Sequence, residues 1–178
     1  MNLPNKLTLL RMCMVPLFVA CFYLPWDGAL YLAAGLFVLA FITDIADGRY
    51  ARKHNLVTSF GALMDPMADK LMMCSAYILL SSVGRIPALA TVIIVAREFV
   101  ISAYRMVAVK EGNVISASWL GKTKTVTQCV AAVLALLGNP LQLWTNIPID
   151  AIILWISVVF TVWSAVDYIV KNKVKLEM

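Results

Sequence analysis

The chain has 178 residues, of which 62% are hydrophobic and 14% charged, and its mean hydropathy is +0.85. A water-soluble domain of this size is roughly half apolar and about a quarter charged, so the excess apolar surface excludes a single soluble globule and points to a polytopic membrane protein. The formal charge of +5 is modest, its placement carries more information than its total, and nucleic acid is not an expected partner.

At ~20 apolar residues per crossing, the length leaves no room for a separate soluble domain, and residues 1–178 are expected to form one transmembrane domain. The first element, up to Trp26, has Lys6 and Arg11 ahead of an apolar run. No small-residue cleavage site closes it, so it is expected to stay as the first membrane helix. Uncharged runs at 12–26, 28–43, 71–84, 86–96, 125–149 and 151–166 predict six spanning helices. Three pairs of runs are separated by one charge each, Asp27, Arg85 and Asp150, and the nearby Gly28, Gly84, Pro87, Pro140 and Pro148 predict tight turns there. Of the 15 Lys and Arg, Arg85 alone falls in these separators. The positive-inside rule therefore places the other ends, and both termini, in the cytoplasm.

Most of the runs are too short to span, so the helices must continue into their charged cytoplasmic flanks. The second is predicted to pass through Asp44 and Asp47. The third starts near Gly61 and carries Asp65 and Asp69, the fourth carries Arg97, Glu98 and Arg105, and the fifth starts near Trp119 with Lys122 and Lys124. The expected fold is all-α, with six transmembrane helices, a dry outer half and a polar cavity open to the cytoplasm. Lys171, Lys173 and Lys175 suit an anchor on anionic headgroups. Trp26 and Trp144 fit an outer aromatic belt, with Trp119 inside. Cys13, Cys21, Cys74 and Cys129 lie in apolar stretches without metal-ligand spacing, and His54 is expected to be a solvated loop residue.

The chemistry is concentrated in residues 43–70, TDIADGRYARKHNLVTSFGALMDPMADK. On a helix, Asp47 lies ~60° from Asp44, with Gly48 and Ala51 within ~40° of Asp44. Asp65 and Asp69 are spaced i, i+4 and also share a face. Four carboxylates crowded at a membrane boundary need neutralising. Their hard oxygens suit magnesium, manganese or calcium. Two such ions fit in-line displacement at phosphorus. The small Gly48 and Ala51 leave room for a bulky ligand, and Arg52 is placed to meet a phosphate. The residues thus suggest phosphoryl transfer to or from a lipid-soluble substrate.

The pattern Asp44-x2-Asp47-Gly48-x2-Ala51-Arg52-x8-Gly61-x3-Asp65-x3-Asp69 resembles, at all eight fixed positions, the signature of the CDP-alcohol phosphatidyltransferases. The resemblance implies six membrane helices with the signature on the second and third, a homodimer, and a cytoplasm-facing cavity. It implies that Asp44, Asp47, Asp65 and Asp69 hold two Mg2+ or Mn2+ ions, with Asp69 also the general base. Asp44, Gly48, Ala51 and Arg52 would contact the CDP moiety, Gly61 would allow close helix approach, and Thr8, with Asn5 a further candidate, would lie near the nucleotide.

Three further segments, PNKLTLLR at 4–11, REFVISAYR at 97–105 and SASWLGKTKTVTQ at 116–128, resemble the branch of that family whose acceptor is glycerol 3-phosphate. This implies attack of its hydroxyl on the phosphorus of CDP-diacylglycerol, with CMP leaving. An acceptor with about two negative charges beside four aspartates needs cations. Arg97, Arg105, Lys122 and Lys124 are the candidates for its phosphate. A second reading stays open for the same residues: Arg97 and Glu98 as an internal ion pair, Arg105 with Lys110 as markers of a helix end, and the two lysines as snorkelling side chains. Two rival functions also stay open, the same fold with inositol phosphate, serine or a phospholipid as acceptor, and a cation transporter. The transporter lacks a continuous polar path, since the outer end offers only Asp27, Arg85 and Asp150.

Overall fold

The computed structural model describes residues 3–26, 28–53, 59–110, 119–138 and 147–171. Among them are six helices and no strand: α1 (Leu3–Cys21), α2 (Ala29–Lys53), α3 (Ser59–Ser82), α4 (Ala88–Lys110), α5 (Trp119–Leu137) and α6 (Ile149–Lys171). Each uncharged run lies largely within one helix, and the helices extend into charged flanks as expected. α2 passes Asp44 and Asp47, α3 begins two residues before Gly61, and α5 begins at Trp119. A helix satisfies its own backbone groups, so it is the cheapest way to carry polar side chains out of an apolar layer.

The chain reversals follow glycine and proline more closely than charge. Arg85 does sit in the turn after α3, beside Gly84 with a φ of +73°. Asp150, expected to mark a turn, instead lies in the first turn of α6. The preceding helix has already stopped at Leu137, where Gly138 takes a φ of +72°, a conformation that costs glycine little. α6 then starts directly after Pro148, whose carbonyl accepts from the Ile152 N–H at 3.0 Å. An acid in the first turn is favourable with the helix dipole, so Asp150 supports the helix rather than interrupting it. Asp27 lies outside the described residues.

Among the described residues two helices, α5 and α6, are long and apolar enough to cross a membrane by length and composition alone. Shorter apolar stretches occupy Leu9–Cys21, Ala29–Ile45 and Lys70–Ser82. α4 falls short of the same measure because it carries three charges, Arg97, Glu98 and Arg105, along its apolar length.

α1 packs on α2 and α3, α5 on α6, α2 and α3, and α4 on α6 and α3. α1 and α2 run antiparallel, since Phe18 meets Phe37 (ring centroids 6.1 Å apart) and Arg11 meets Asp44. Small residues line many contacts: Ala33, Ala34, Ala40, Ala76, Ala90, Ala131, Ala132 and Ala135 are all buried. Their short side chains let backbones approach, which is how helices associate when water supplies no driving force. Phe18, Phe37, Tyr77, Leu80, Ile94 and Leu136 fill the remaining space. α6 turns Trp155, Val159, Val162, Trp163 and Val166 outward, an apolar face suited to hydrocarbon.

A buried polar seam fixes the register of the inner helices. Tyr77 Oη donates to the Gln128 carbonyl at 3.0 Å, and Gln128 Nε2 donates to Thr161 Oγ1 at 2.9 Å. Interhelical bonds of this kind each contribute ~0.6–2 kcal/mol in a bilayer. At the opposite end from the carboxylates, Arg85 Nη1 donates to the carbonyls of Ala135 and Leu136, both at 2.8 Å. It thereby satisfies orphan acceptors at the α5 C-terminus.

Candidate active site

The signature is divided between the C-terminal half of α2 and the N-terminal half of α3, two helices that pack together and that both rest on α1. Asp44, Asp47, Gly48, Ala51 and Arg52 belong to α2, and Gly61, Asp65 and Asp69 to α3. Because α2 ends at Lys53 and α3 begins at Ser59, both sets lie toward the same connection. Of these eight side chains only that of Asp44 lies within the described residues; those of the other seven, with Asn5 and Thr8 on α1, lie outside them.

Asp44 is anchored. Its Oδ1 is 2.8 Å from Arg11 Nη1, and while Arg11 is 2% exposed the Asp44 carboxylate is 31% exposed. A guanidinium so deep in an apolar bundle needs an acid at the same depth. The pair holds the carboxylate in one place while leaving it open on its other side to solvent or ligand. The partnership was legible in outline: residues 11 and 44, like 18 and 37, are symmetric about the 27–28 connection, so an antiparallel hairpin brings them to one level.

A second polar group joins α3, α4, α5 and α6. Glu98, 8% exposed, receives the ammonium of Lys124, itself 3% exposed, and lies 3.4 Å from Arg97 Nη1. Arg97 Nη2 donates to Ser164 Oγ at 2.9 Å. Lys70 Nζ donates to Ser102 Oγ, and Ser102 donates in turn to the Glu98 carbonyl one turn back on α4. Two turns beyond Arg97, Arg105 Nε donates to Tyr168 Oη at 3.1 Å, with its guanidinium 5.4 Å from the centre of that ring. Tyr168 is held edge-on by Tyr104 at 5.9 Å.

Of the four cations expected to meet an acceptor phosphate, Arg97 and Lys124 thus meet at Glu98 near the middle of α4, and Arg105 lies two turns further on against Tyr168. Lys122 is exposed, and no contact among the described residues joins it to the group. For Arg97 the alternative left open by the sequence, an internal ion pair with Glu98, is the arrangement found. Glu98 is shared by Arg97 and Lys124, so removing the acid leaves buried cations uncompensated, a loss that typically costs ~3–5 kcal/mol. Reading the sequence missed Lys70 and Ser102. Their signal is a lysine directly after Asp69, well inside a helix whose neighbours are apolar.

Among the described residues, no three His, Cys, Asp or Glu side chains come together as a metal site. The fit of these residues to a metal ion can be judged from their donor chemistry. The signature offers carboxylate oxygen throughout, which fits Mg2+ or Mn2+ and not thiolate-seeking ions. The free cysteines Cys21, Cys74 and Cys129 are buried, and Cys13 is exposed.

A family model described as CDP-alcohol phosphatidyltransferase matches residues 1–163. Among curated proteins, the CDP-diacylglycerol--glycerol-3-phosphate 3-phosphatidyltransferase of Bacillus subtilis is 41% identical, over 96% of this chain and 95% of its own length. Proteins of the same name from Sodalis glossinidius, 41% identical over 95% of this chain and 93% of the relative, and Haemophilus influenzae, 38% identical over 94% and 91%, are similar along nearly their whole lengths.

Proposed function

We infer that this chain, which belongs to the CDP-alcohol phosphatidyltransferase family, transfers the phosphatidyl group of CDP-diacylglycerol to glycerol 3-phosphate, yielding phosphatidylglycerol phosphate and CMP. The observation that carries this reading is 41% identity, over nearly the full length of both chains, to a protein named for that reaction. The complete eight-residue signature agrees with it.

In this reading Asp69 accepts the proton of the glycerol 3-phosphate hydroxyl. The hydroxyl oxygen forms a bond to the phosphorus that carries diacylglycerol, the bond from that phosphorus to the CMP oxygen breaks, and CMP leaves with the electron pair. Asp44, Asp47, Asp65 and Asp69 are the residues that would hold Mg2+ or Mn2+, two ions in this account, which when bound neutralise charge on the transferring phosphoryl group. Gly48 and Ala51 give the CDP moiety room against α2, Arg52 meets its phosphates, Gly61 allows close helix approach, and Thr8 reaches the nucleotide. Arg11 contributes by fixing Asp44, since its ion pair removes rotamers that the carboxylate would otherwise sample.

The purified protein tests this directly. CMP release from CDP-diacylglycerol should proceed with glycerol 3-phosphate at least ~100-fold faster than with serine or inositol phosphate, a margin in keeping with recognition of a hydrogen-bonded, charged group. Equal rates with an uncharged alcohol would contradict it.

The one-domain chain is placed in the cell membrane as six spans, with the cavity and both termini on the cytoplasmic side, and assembles as a homodimer. Support comes from the six helices and from the gathering of Asp44, Lys70, Arg97, Glu98, Arg105 and Lys124 toward one end, opposite Arg85. With Cys13 replaced by serine, a cysteine at Asp27 or Asp150 should react with an impermeant thiol reagent from outside whole cells, and one at His54 should not. The reverse pattern would overturn the orientation. A monomeric mass for the purified protein would contradict the dimer.

A further inference from the structure

The cations near Glu98 are not equivalent. Lys124 is buried, and its ammonium sits on the Glu98 carboxylate. Moving it toward a ligand would leave that buried acid with only the longer, 3.4 Å contact to Arg97, so its charge is committed. Arg97 divides its terminal nitrogens between Glu98 and Ser164. Lys70 differs from both. It is half-buried, and among the described residues its hydrogen-bond partner is the neutral Ser102 hydroxyl, which is itself oriented by donating to the Glu98 carbonyl. An ammonium has three protons to donate, so Ser102 fixes its position without cancelling its charge.

With Lys124 balanced by Glu98, positive charge from Lys70, Arg97 and Arg105 is left in surplus among the described residues. Lys70 lies within electrostatic range of Glu98 and, after it, of both arginines, so it shares one acid with three other cations. With Lys70 and Arg97 partly buried and Arg105 exposed beyond them, a surplus of this kind favours an anion of more than one charge. Lys70 also follows Asp69 directly, about 3.8 Å along the backbone between α-carbons. On α3 consecutive residues stand at one level and ~100° apart in direction, a separation that an acceptor with its phosphate and reacting hydroxyl three carbons apart could bridge.

We propose that Lys70 is the lysine that binds the phosphate of the acceptor, positioned by Ser102 and neighboured by Arg105, while Lys124 is the structural counter-ion of Glu98. This rests on the assignment of glycerol 3-phosphate as acceptor. It moves the lysine's role from α5 to α3 and makes α3 carry both the base and the group that orients the substrate against it.

The test uses the full-length protein in detergent or nanodiscs. Lys70→Met should raise the KM for glycerol 3-phosphate ~tenfold or more with the KM for CDP-diacylglycerol within about twofold, and Lys70→Arg should recover most of the loss. Ser102→Ala, a milder change, should raise the acceptor KM about threefold. Lys124→Met should act instead on thermal stability, and adding Glu98→Gln should restore the melting temperature by removing the stranded acid. An unchanged acceptor KM in both Lys70→Met and Ser102→Ala overturns the proposal. So does a Glu98→Gln/Lys124→Met protein that regains its stability yet has a higher acceptor KM than Lys70→Met. Failure of the acceptor assignment itself is recognised separately, by wild-type protein that does not consume glycerol 3-phosphate.

Discussion

Asp65→Asn and Asp44→Asn proteins are expected to be nearly inactive at millimolar magnesium, with less than ~1% of wild-type turnover. Asparagine keeps the shape of the side chain and removes its negative charge, and a divalent cation held by carboxylates depends on that charge. Wild-type activity should likewise vanish in excess chelator and return with Mg2+ or Mn2+. The two variants differ in one respect. Asp44→Asn also removes one charged contact, the 2.8 Å ion pair with Asp44, from the guanidinium of Arg11, which is 2% exposed. It should therefore lose stability as well as metal. Titration with magnesium, read beside a thermal melt, separates the two effects: weakened metal binding raises the concentration for half-maximal activity, and loss of the Arg11–Asp44 ion pair lowers the melting temperature. Full turnover by either variant in the presence of chelator would remove the metal-dependent mechanism.

Asp69→Asn should lose at least ~100-fold in turnover, the lower end of what a general base contributes. Its binding of CDP-diacylglycerol should persist, because the nucleotide contacts are assigned to α1 and α2. A purely structural role would instead reduce binding and turnover together. Near-wild-type turnover in this variant would end the assignment of Asp69 as base.

The elements that could be read from the sequence are those with local causes. Six uncharged runs became six helices because an apolar segment is helical wherever its backbone must satisfy itself. The continuation of α2 past Asp44 and Asp47 was legible from the length needed to span. The start of α6 was misplaced for an equally local reason: Asp150 looks like a break only if charge breaks helices, whereas Gly138 and Pro148 are the residues whose backbones end one helix and begin the next. The eight-residue signature was complete in the sequence. What one-dimensional reading could not supply was packing across helices. That Lys124 on α5 belongs to Glu98 on α4, or that Lys70 on α3 reaches Ser102, follows from which helices are neighbours. Lys122 and Lys124 look alike as text and stand two residues apart, yet one is exposed and the other is buried on an acid. Helical rotation of ~200° between them separates a solvent-facing cation from a structural one.

The central claim is a one-for-one exchange at phosphorus, and it is tested most directly by following both products at once. Purified protein supplied with CDP-diacylglycerol, magnesium and isotopically labelled glycerol 3-phosphate should release one CMP for each labelled phosphatidylglycerol phosphate formed, with no CMP released when the acceptor is omitted. CMP released at the same rate without glycerol 3-phosphate, or released with no label entering lipid, would contradict it.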